Sequence, residues 1–440
     1  VLGWLVLEIR HVHRPIILSS GIRLTFGAYM CSRSADMNRR PILVAAVAVT
    51  ALALAGCSGS SESDGGADSP YRVLLTGGIS AQGVLAANSQ TSLLATKAGV
   101  QVQNEAGGIG GRQIELTTVD DAGDATIAVT KLREAINSGN KPDLYLNSGP
   151  SSIAAAVLPI LKQNNILSMS MAPSPDSTDP SKFPLNFDLA PGATDTARGI
   201  SEYAKSKGYS SVGVLHGSTA YGELFGEEMT SALQSAGLKA AGNEEYDAAA
   251  LDMTAQLQSL KNSGAAAIAL DAYGAPLGYV LQSLERLGWD VPLVGNTSVS
   301  ATNLIANDPP AGVLGTPQVK NLVTQVFSST VFDPNNALVN TMVDTMASLG
   351  SIPSTLILAD NYDAFPLVAA AAEKVGSSTD PKKLAEALET TEVQENAKTA
   401  FLSRYNFSSD NHGPNPDTSE LKFISPTKIL NGQFGNPAAS

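Results

Sequence analysis

The chain has 440 residues, 43% of them hydrophobic and 16% charged, with 39 glycines and 24 prolines. That length suits two domains of about 100–200 residues, and the composition is that of a folding, turn-rich chain and not a disordered one. The formal net charge is -13, and removing the stretch ahead of Cys57, with six arginines against Glu8 and Asp36, takes it to -17, which argues against nucleic acid as a partner. Beyond Cys57 there is no further cysteine, and His216 and His412 are the only histidines; neither a disulfide framework nor a Cys/His metal cluster can be built there.

The first elements in chain order form an address. Residues 42–55, "ILVAAVAVTALALA", are an uncharged run preceded by Met37-Asn-Arg-Arg-Pro. A spanning helix needs about 20 apolar residues, whereas a secretory signal combines a basic start with an apolar run of about 7–15. The run closes on "LAGC" (54–57), which resembles the bacterial lipoprotein box, where a small residue before the cysteine permits cleavage and the cysteine takes lipid. A core helix ending in a buried cysteine would carry a polar face, and this run offers only Thr50. Residues 37–56 are therefore expected to be a lipoprotein signal peptide. Cys57 is the expected lipidation site, and acyl chains on it would anchor the protein outside the cytoplasm on the cell membrane. Residues 1–36 then read as a start-site artefact ahead of Met37, or alternatively as a cytoplasmic tail before an uncleaved anchor. "SGSSESDGGADSP" has only Ala67 as an apolar side chain besides the final proline, so 57–70 reads as a flexible tether.

From Tyr71 short apolar runs alternate with longer amphipathic stretches. Strands are expected at "YRVLLT" (71–76), "QIELTTV" (113–119), "DLYLN" (143–147) and "ILSMSM" (166–171), with helices at 85–104, 125–137 and 151–163. After "FPLNFDLAPG" a second series follows. Its helices fall near 194–207, 221–236, 252–263 and 275–287, with strands at "SVGVLH" (211–216), within 238–246, at "AAIAL" (266–270) and at "VPLVG" (291–295). This alternation predicts an α/β fold of two doubly wound, Rossmann-like lobes, whose ligands bind beyond the carboxyl ends of the strands. Past about 300 the pattern predicts helices at 337–349, 358–375 and 381–390. "RYNF" and "ELKFISPTKILNGQFG" read as antiparallel strands with a hairpin at Asn431-Gly432.

Three motifs invite chemistry and take plainer readings. "GGIGGRQIEL" (107–116) follows a helix and opens a strand, the reverse of a dinucleotide fingerprint. In "VDDAGD" (119–124) Asp124 is expected to cap the next helix and Asp120 and Asp121 to end a strand. "LHGSTAYGE" (215–223) sets His216 two positions before Ser218, but a catalytic serine needs a sharp strand-to-helix turn and a third partner. The chain is expected not to be an enzyme and to need no cofactor; a secreted hydrolase is the weaker alternative.

In order and spacing, "LTGGISAQG", "NEAGGIGGRQIEL", "VDDAGD", "SGPSSIAAAVLPILKQNNI", "HGSTAYGE", "LERLGWDVPLVG" and "YDAF" resemble the type I periplasmic solute-binding proteins, in particular the branched-chain amino-acid (Leu/Ile/Val) binding family of ABC importers. The resemblance implies two lobes joined by a three-crossover hinge, closing on one small ligand. The crossovers would fall near 188–192, 297–318 and 395–405, giving lobe one 71–189 plus 310–395 and lobe two 190–305 plus 396–440. It further implies an ABC permease as partner, or a receptor if the protein is a ligand sensor.

The resemblance also assigns the ligand contacts. Ser151 and Ser152 match the residues that hold the ligand carboxylate, a role suited to hydroxyls and free N–H groups at a helix start. Ala172, Pro173 and Ser174 match the loop after the fourth strand, and Ser80, Ala81 and Gln82 are placed to close over the ligand. Tyr221 and Tyr273 match the aromatic positions of lobe two. In "VGNTSVS", Thr297 stands where amino-acid binders carry an acid. Either Asp271 takes that role, or the ligand is an amide or a small carboxylate without an amine, because a buried ammonium without a partner costs several kcal/mol.

Overall fold

A computed structural model of the chain describes residues 69–439. The expected signal, Cys57 and most of the tether lie outside the described residues. Among the described residues no helix is long and apolar enough to cross a membrane.

Chain order runs β1 (Tyr71–Gly77), α1 (Gly83–Glu105), β2 (Ile114–Asp120), α2 (Ala125–Asn137), β3 (Leu144–Asn147), α3 (Ser151–Gln163), β4 (Leu167–Ser170) and β5 (Asn186–Asp188). The second series is α4 (Ala193–Ser206), β6 (Ser211–Gly217), α5 (Ala220–Ser235), β7 (Lys239–Tyr246), α6 (Thr254–Asn262), β8 (Ala267–Leu270), α7 (Ala275–Leu287), β9 (Leu293–Gly295), α8 (Thr297–Ser300) and β10 (Leu322–Phe327). The chain ends with α9 (Ala337–Leu349), α10 (Ala364–Val375), α11 (Pro381–Leu388), α12 (Thr391–Asn396), β11 (Leu421–Ile424), β12 (Ile429–Leu430) and β13 (Gln433–Phe434).

The first sheet has the order β2-β1-β3-β4-β5, and the second β7-β6-β8-β9-β10 with β11 antiparallel on its outer edge. Numbered within each lobe, both cores read 2-1-3-4-5, a doubly wound order whose ligands sit at the carboxyl ends of the strands. Alternation along the strands feeds two faces: Leu144 and Leu146 enter one core and Tyr145 the other. In the second sheet Ile268 and Leu270 face one core and Ala269 the opposite one.

Local chemistry explains the boundaries. Asp124 caps α2, accepting the N–H groups of Thr126 and Ile127. The glycine-rich stretch after α1 is a turn into β2: Gly108 has φ 79°, and a Cβ there would lie 2.0 Å from the Arg112 carbonyl oxygen. The C-terminal hairpin turns at Asn431 (φ 48°) and Gly432 (φ 76°), the left-handed pair that a two-residue hairpin demands.

Three expectations need correction. Leu322–Phe327 forms β10 beside β9 in the second sheet, so the second crossing follows Phe327 and residues 310–327 belong to lobe two. Its strand character was hidden by buried polar residues: Thr324 donates to the Asn296 carbonyl at 3.2 Å, and Gln325 is fully buried. Of 396–440, only β11 joins the second sheet. Ala397, Phe401, Leu402, Tyr405 and Phe434 lie in the core of lobe one, because Asp363 accepts the N–H groups of Ala400, Phe401 and Leu402 and the Tyr405 hydroxyl. This tie also leaves "RYNF" as irregular chain. Finally, α10 begins at Ala364, after two short 3-10 turns, Leu356–Leu358 and Asp360–Tyr362.

Candidate functional site

Between the lobes lies a cleft of about 250 Å³. Strand ends supply most of its wall: Ser151 after β3, Ala172 and Pro173 after β4, Ala190 and Pro191 after β5, Tyr221 after β6, Tyr246 at the end of β7, Asp271 and Tyr273 after β8, Thr297 after β9 and Phe327 at the end of β10. Met171, Ile357 and Leu358 add apolar surface. Asp271 is the one charged side chain among the described lining residues. A wider groove of about 730 Å³, with Lys162, Asp179, Lys382 and Glu386 in its wall, lies at the opposite, amino-terminal ends of β4 and β5. It mixes both signs of charge and receives no strand-end group.

The start of α3 is set by Asn147, whose Oδ1 accepts the Gly149 N–H at 2.9 Å and whose Nδ2 donates to Gly149 O. Pro150 then occupies the N-cap position and supplies no capping side chain, so the first N–H groups of the helix are left to whatever lies in front of them. Ser151 Oγ accepts the Tyr221 N–H from lobe two at 3.1 Å, which leaves its own proton to donate. A helix start with a hydroxyl donor beside it, in a cleft of mostly apolar walls, suits an anion.

Asp271 is 3% exposed. Burial raises its pKa; hydrogen bonds from the Asn296 and Ser298 side chains and the Gly217 N–H, with His216 nearby, draw it back down. Asn296 is the orienting group: its Oδ1 accepts the N–H groups of Ser298 and Val299 while its Nδ2 donates to Asp271 Oδ1 at 2.8 Å. Tyr246 donates to the Asp271 carbonyl oxygen at 3.0 Å and so fixes the backbone there. Burial raises the pKa of Tyr221 and Tyr273 alike, which keeps both phenols neutral.

Seven of the sequence-derived contacts thus meet in one cleft: Ser151, Ala172, Pro173, Tyr221, Asp271, Tyr273 and Thr297. Five others, Ser80, Ala81, Gln82, Ser152 and Ser174, do not line it. Ser80 and Gln82 are exposed, and the Ser80 N–H is tied to Asp120 Oδ1 at 3.1 Å, which holds the loop after β1 against the end of β2. Ser152 is exposed on another side of α3. Ser174 is buried inside its own loop, its N–H donating to Ser177 Oγ. Sequence reasoning missed Ala190, Pro191, Tyr246 and Phe327; the strand-end rule reaches Tyr246 from β7 and the other three once β5 and β10 are recognised. Ile357 and Leu358 sit on a short turn with no local signal. His216 and Ser218 make their contacts with backbone groups: His216 Nδ1 lies 3.2 Å from Gly217 O, and Ser218 Oγ accepts the Ala248 N–H.

The family model described as periplasmic binding protein matches residues 79–419. The chain belongs to that family. Among relatives, the leucine-, isoleucine-, valine-, threonine- and alanine-binding protein of Pseudomonas aeruginosa is 27% identical over 65% of this chain and 73% of its own length. Leu/Ile/Val-binding protein homolog 3 of Brucella melitensis is 24% identical over 66% and 75%. A periplasmic binding protein type 1 from Bordetella pertussis superposes with TM-score 0.68 at 22% identity, covering 81% of this chain and 96% of that one. A solute-binding protein of an ABC transporter from R. palustris, solved with benzoate, superposes with TM-score 0.66 at 17% identity over 84% and 95%. Family membership makes the chain an extracytoplasmic solute-binding protein with the type I two-lobed fold, in a family whose members bind small ligands and typically work with ABC permeases.

Proposed function

We propose that the protein is the substrate-binding component of an ABC importer, that it captures a small apolar α-amino acid by closure of the two lobes, and that lipid on Cys57 holds it at the membrane. One observation carries the ligand class: a cleft with mostly apolar walls sets a helix start and Ser151 on one side and a single carboxylate, Asp271, on the other. An amino acid satisfies both ends, its carboxylate at α3 and its ammonium at Asp271. The leucine-, isoleucine- and valine-binding names of the relatives support the same reading. Closure follows from the two ends belonging to different lobes, since a ligand stabilises the closed form by its differential affinity for it.

Calorimetry with leucine and the two analogues that each lack one of its charged groups tests this. L-leucine is expected to bind, while 4-methylpentanoate, without the amine, and 3-methylbutylamine, without the carboxylate, bind at least about tenfold more weakly, each leaving one buried polar partner unmatched. Equal affinity for leucine and 4-methylpentanoate would show that Asp271 meets no ammonium.

A further inference from the structure

Tyr273 is the one cleft phenol that reaches from lobe two to a side chain of lobe one. Its hydroxyl lies 2.8 Å from Asn88 Nδ2, in the second turn of α1. Asn88 is 1% exposed, and its other side-chain atom lies 2.5 Å from Ser354 Oγ. That separation belongs to an O–H···O bond and is too short for N–H···O, so Ser354 donates to Oδ1 and the amide nitrogen is left to face Tyr273. Ser354 is itself fixed, its N–H donating to Thr91 Oγ1 at 3.0 Å. The chain of contacts thus sets the orientation of one amide, and that amide sets a phenol.

We infer that Asn88 is a positioning residue of the cleft: from lobe one it holds the Tyr273 hydroxyl of lobe two by its oxygen and leaves the phenol proton for an acceptor on the bound molecule. An amide NH2 group can only donate, so the Tyr273 oxygen accepts from Asn88 and its own proton is not spent there. Tyr273 then adds a second lobe-two group to the polar recognition, beside Asp271 but opposite in sense. A neutral phenol donates to a carboxylate or carbonyl, where Asp271 only accepts. Asn88 touches no ligand in this arrangement and acts through Tyr273 alone. The identity of the acceptor as a ligand carboxylate rests on the amino-acid reading above; the tie between the lobes does not.

Hydrogen exchange of the ligand-free protein and leucine calorimetry test the two parts separately, on the wild type, Asn88→Leu, Tyr273→Phe and the double variant. In the ligand-free state, amides of 271–277 in lobe two are expected to exchange about three- to tenfold faster in either single variant, with no further gain in the double variant, because both remove one bond. Leucine affinity is expected to fall by about three- to tenfold in Asn88→Leu and in Tyr273→Phe. Tyr273→Phe, which deletes only a hydroxyl, keeps the test open should Asn88→Leu disturb the core. Unchanged exchange in lobe two, or effects that add in the double variant, would overturn the tie. Faster exchange with unchanged leucine affinity would overturn the donor role. A wild type that binds no leucine but shows the exchange coupling overturns the amino-acid reading and leaves Asn88 as the tie.

Discussion

The loops after β3 and β8 occupy the same place in two sheets of the same order, yet they present opposite chemistry. In lobe one Asn147 bends the chain through Gly149 and Pro150 so that α3 points its free N–H groups and Ser151 at the cleft. In lobe two the third strand ends on Asp271 and Tyr273, held by Asn296, Tyr246 and Asn88, before α7 begins at Ala275. One side donates and the other mainly accepts. A topology repeated twice has therefore produced opposite chemistry on the two walls of the cleft, and on the function proposed above a dipolar ligand would lie between them in only one sense. The difference shows that the fold supplies the positions and the loop residues supply the sign.

The largest test removes the acceptor. Asp271→Asn should weaken leucine by about 2–5 kcal/mol, the usual cost of truncating one partner of a buried, hydrogen-bonded charge pair, while 4-methylpentanoate binds within about twofold of its wild-type value. Calorimetry on both ligands decides it. If both lose affinity equally, Asp271 serves only to hold Asn296 and the start of α8, and the contrast fails on its lobe-two wall.

Removing the donor should act less strongly and less selectively. Ser151→Ala deletes one hydroxyl donor and leaves the Tyr221 N–H without its partner, for about 1–3 kcal/mol, felt alike by leucine and 4-methylpentanoate since both carry the carboxylate. Ser151→Thr, which keeps the hydroxyl, should recover most of the loss in the same titration. Ser152, exposed on the same helix, makes the matched control: its alanine variant should leave both ligands unaffected.

Much of this contrast was legible in the sequence, and the losses have physical causes. The apolar runs and their alternation with amphipathic stretches made both lobes legible, since β3, β4, β6 and β8 are buried along their whole length and read as short, mostly apolar runs; β5, only Asn186–Asp188 with two polar residues of three, left no such run. β10 escaped because Thr324 and Gln325 are buried for the sake of hydrogen bonds around the hinge, so a core strand carries polar letters. Ser151 and Asp271 were legible because both follow recognisable strands. Ser80 and Gln82 misled because a loop after β1 has two places to go, over the cleft or against β2, and the choice depends on the Asp120 side chain. Asn88 carried no signal at all: its role exists only once α1 of one lobe meets Tyr273 of the other.

The smallest effect is a pH dependence, and it tests the sign of the lobe-two wall without changing its shape. Burial holds the Asp271 carboxyl above the ordinary aspartate range in the ligand-free protein. A ligand ammonium favours the ionised form, so the complex lowers that pKa, and binding is tightest where the free carboxyl is already ionised. Affinity for leucine should therefore be flat between that raised pKa and the alkaline range where the leucine ammonium itself deprotonates, and fall as pH drops through the raised pKa, by at most about tenfold per pH unit for one proton. Asp195 also titrates in the region, pushed up to about 6 by burial against the pull of Arg198, but it stands in the first turn of α4 and does not line the cleft. Asp271→Asn separates the two: if Asp271 is the titrating partner, the leucine profile of the variant loses its acid limb, and 4-methylpentanoate shows no such limb in the wild type. A limb that survives in Asp271→Asn would move the pH dependence to another buried carboxyl, Asp195 or Asp188, the latter pushed up to about 7 by burial at the end of β5, and remove the ammonium from Asp271.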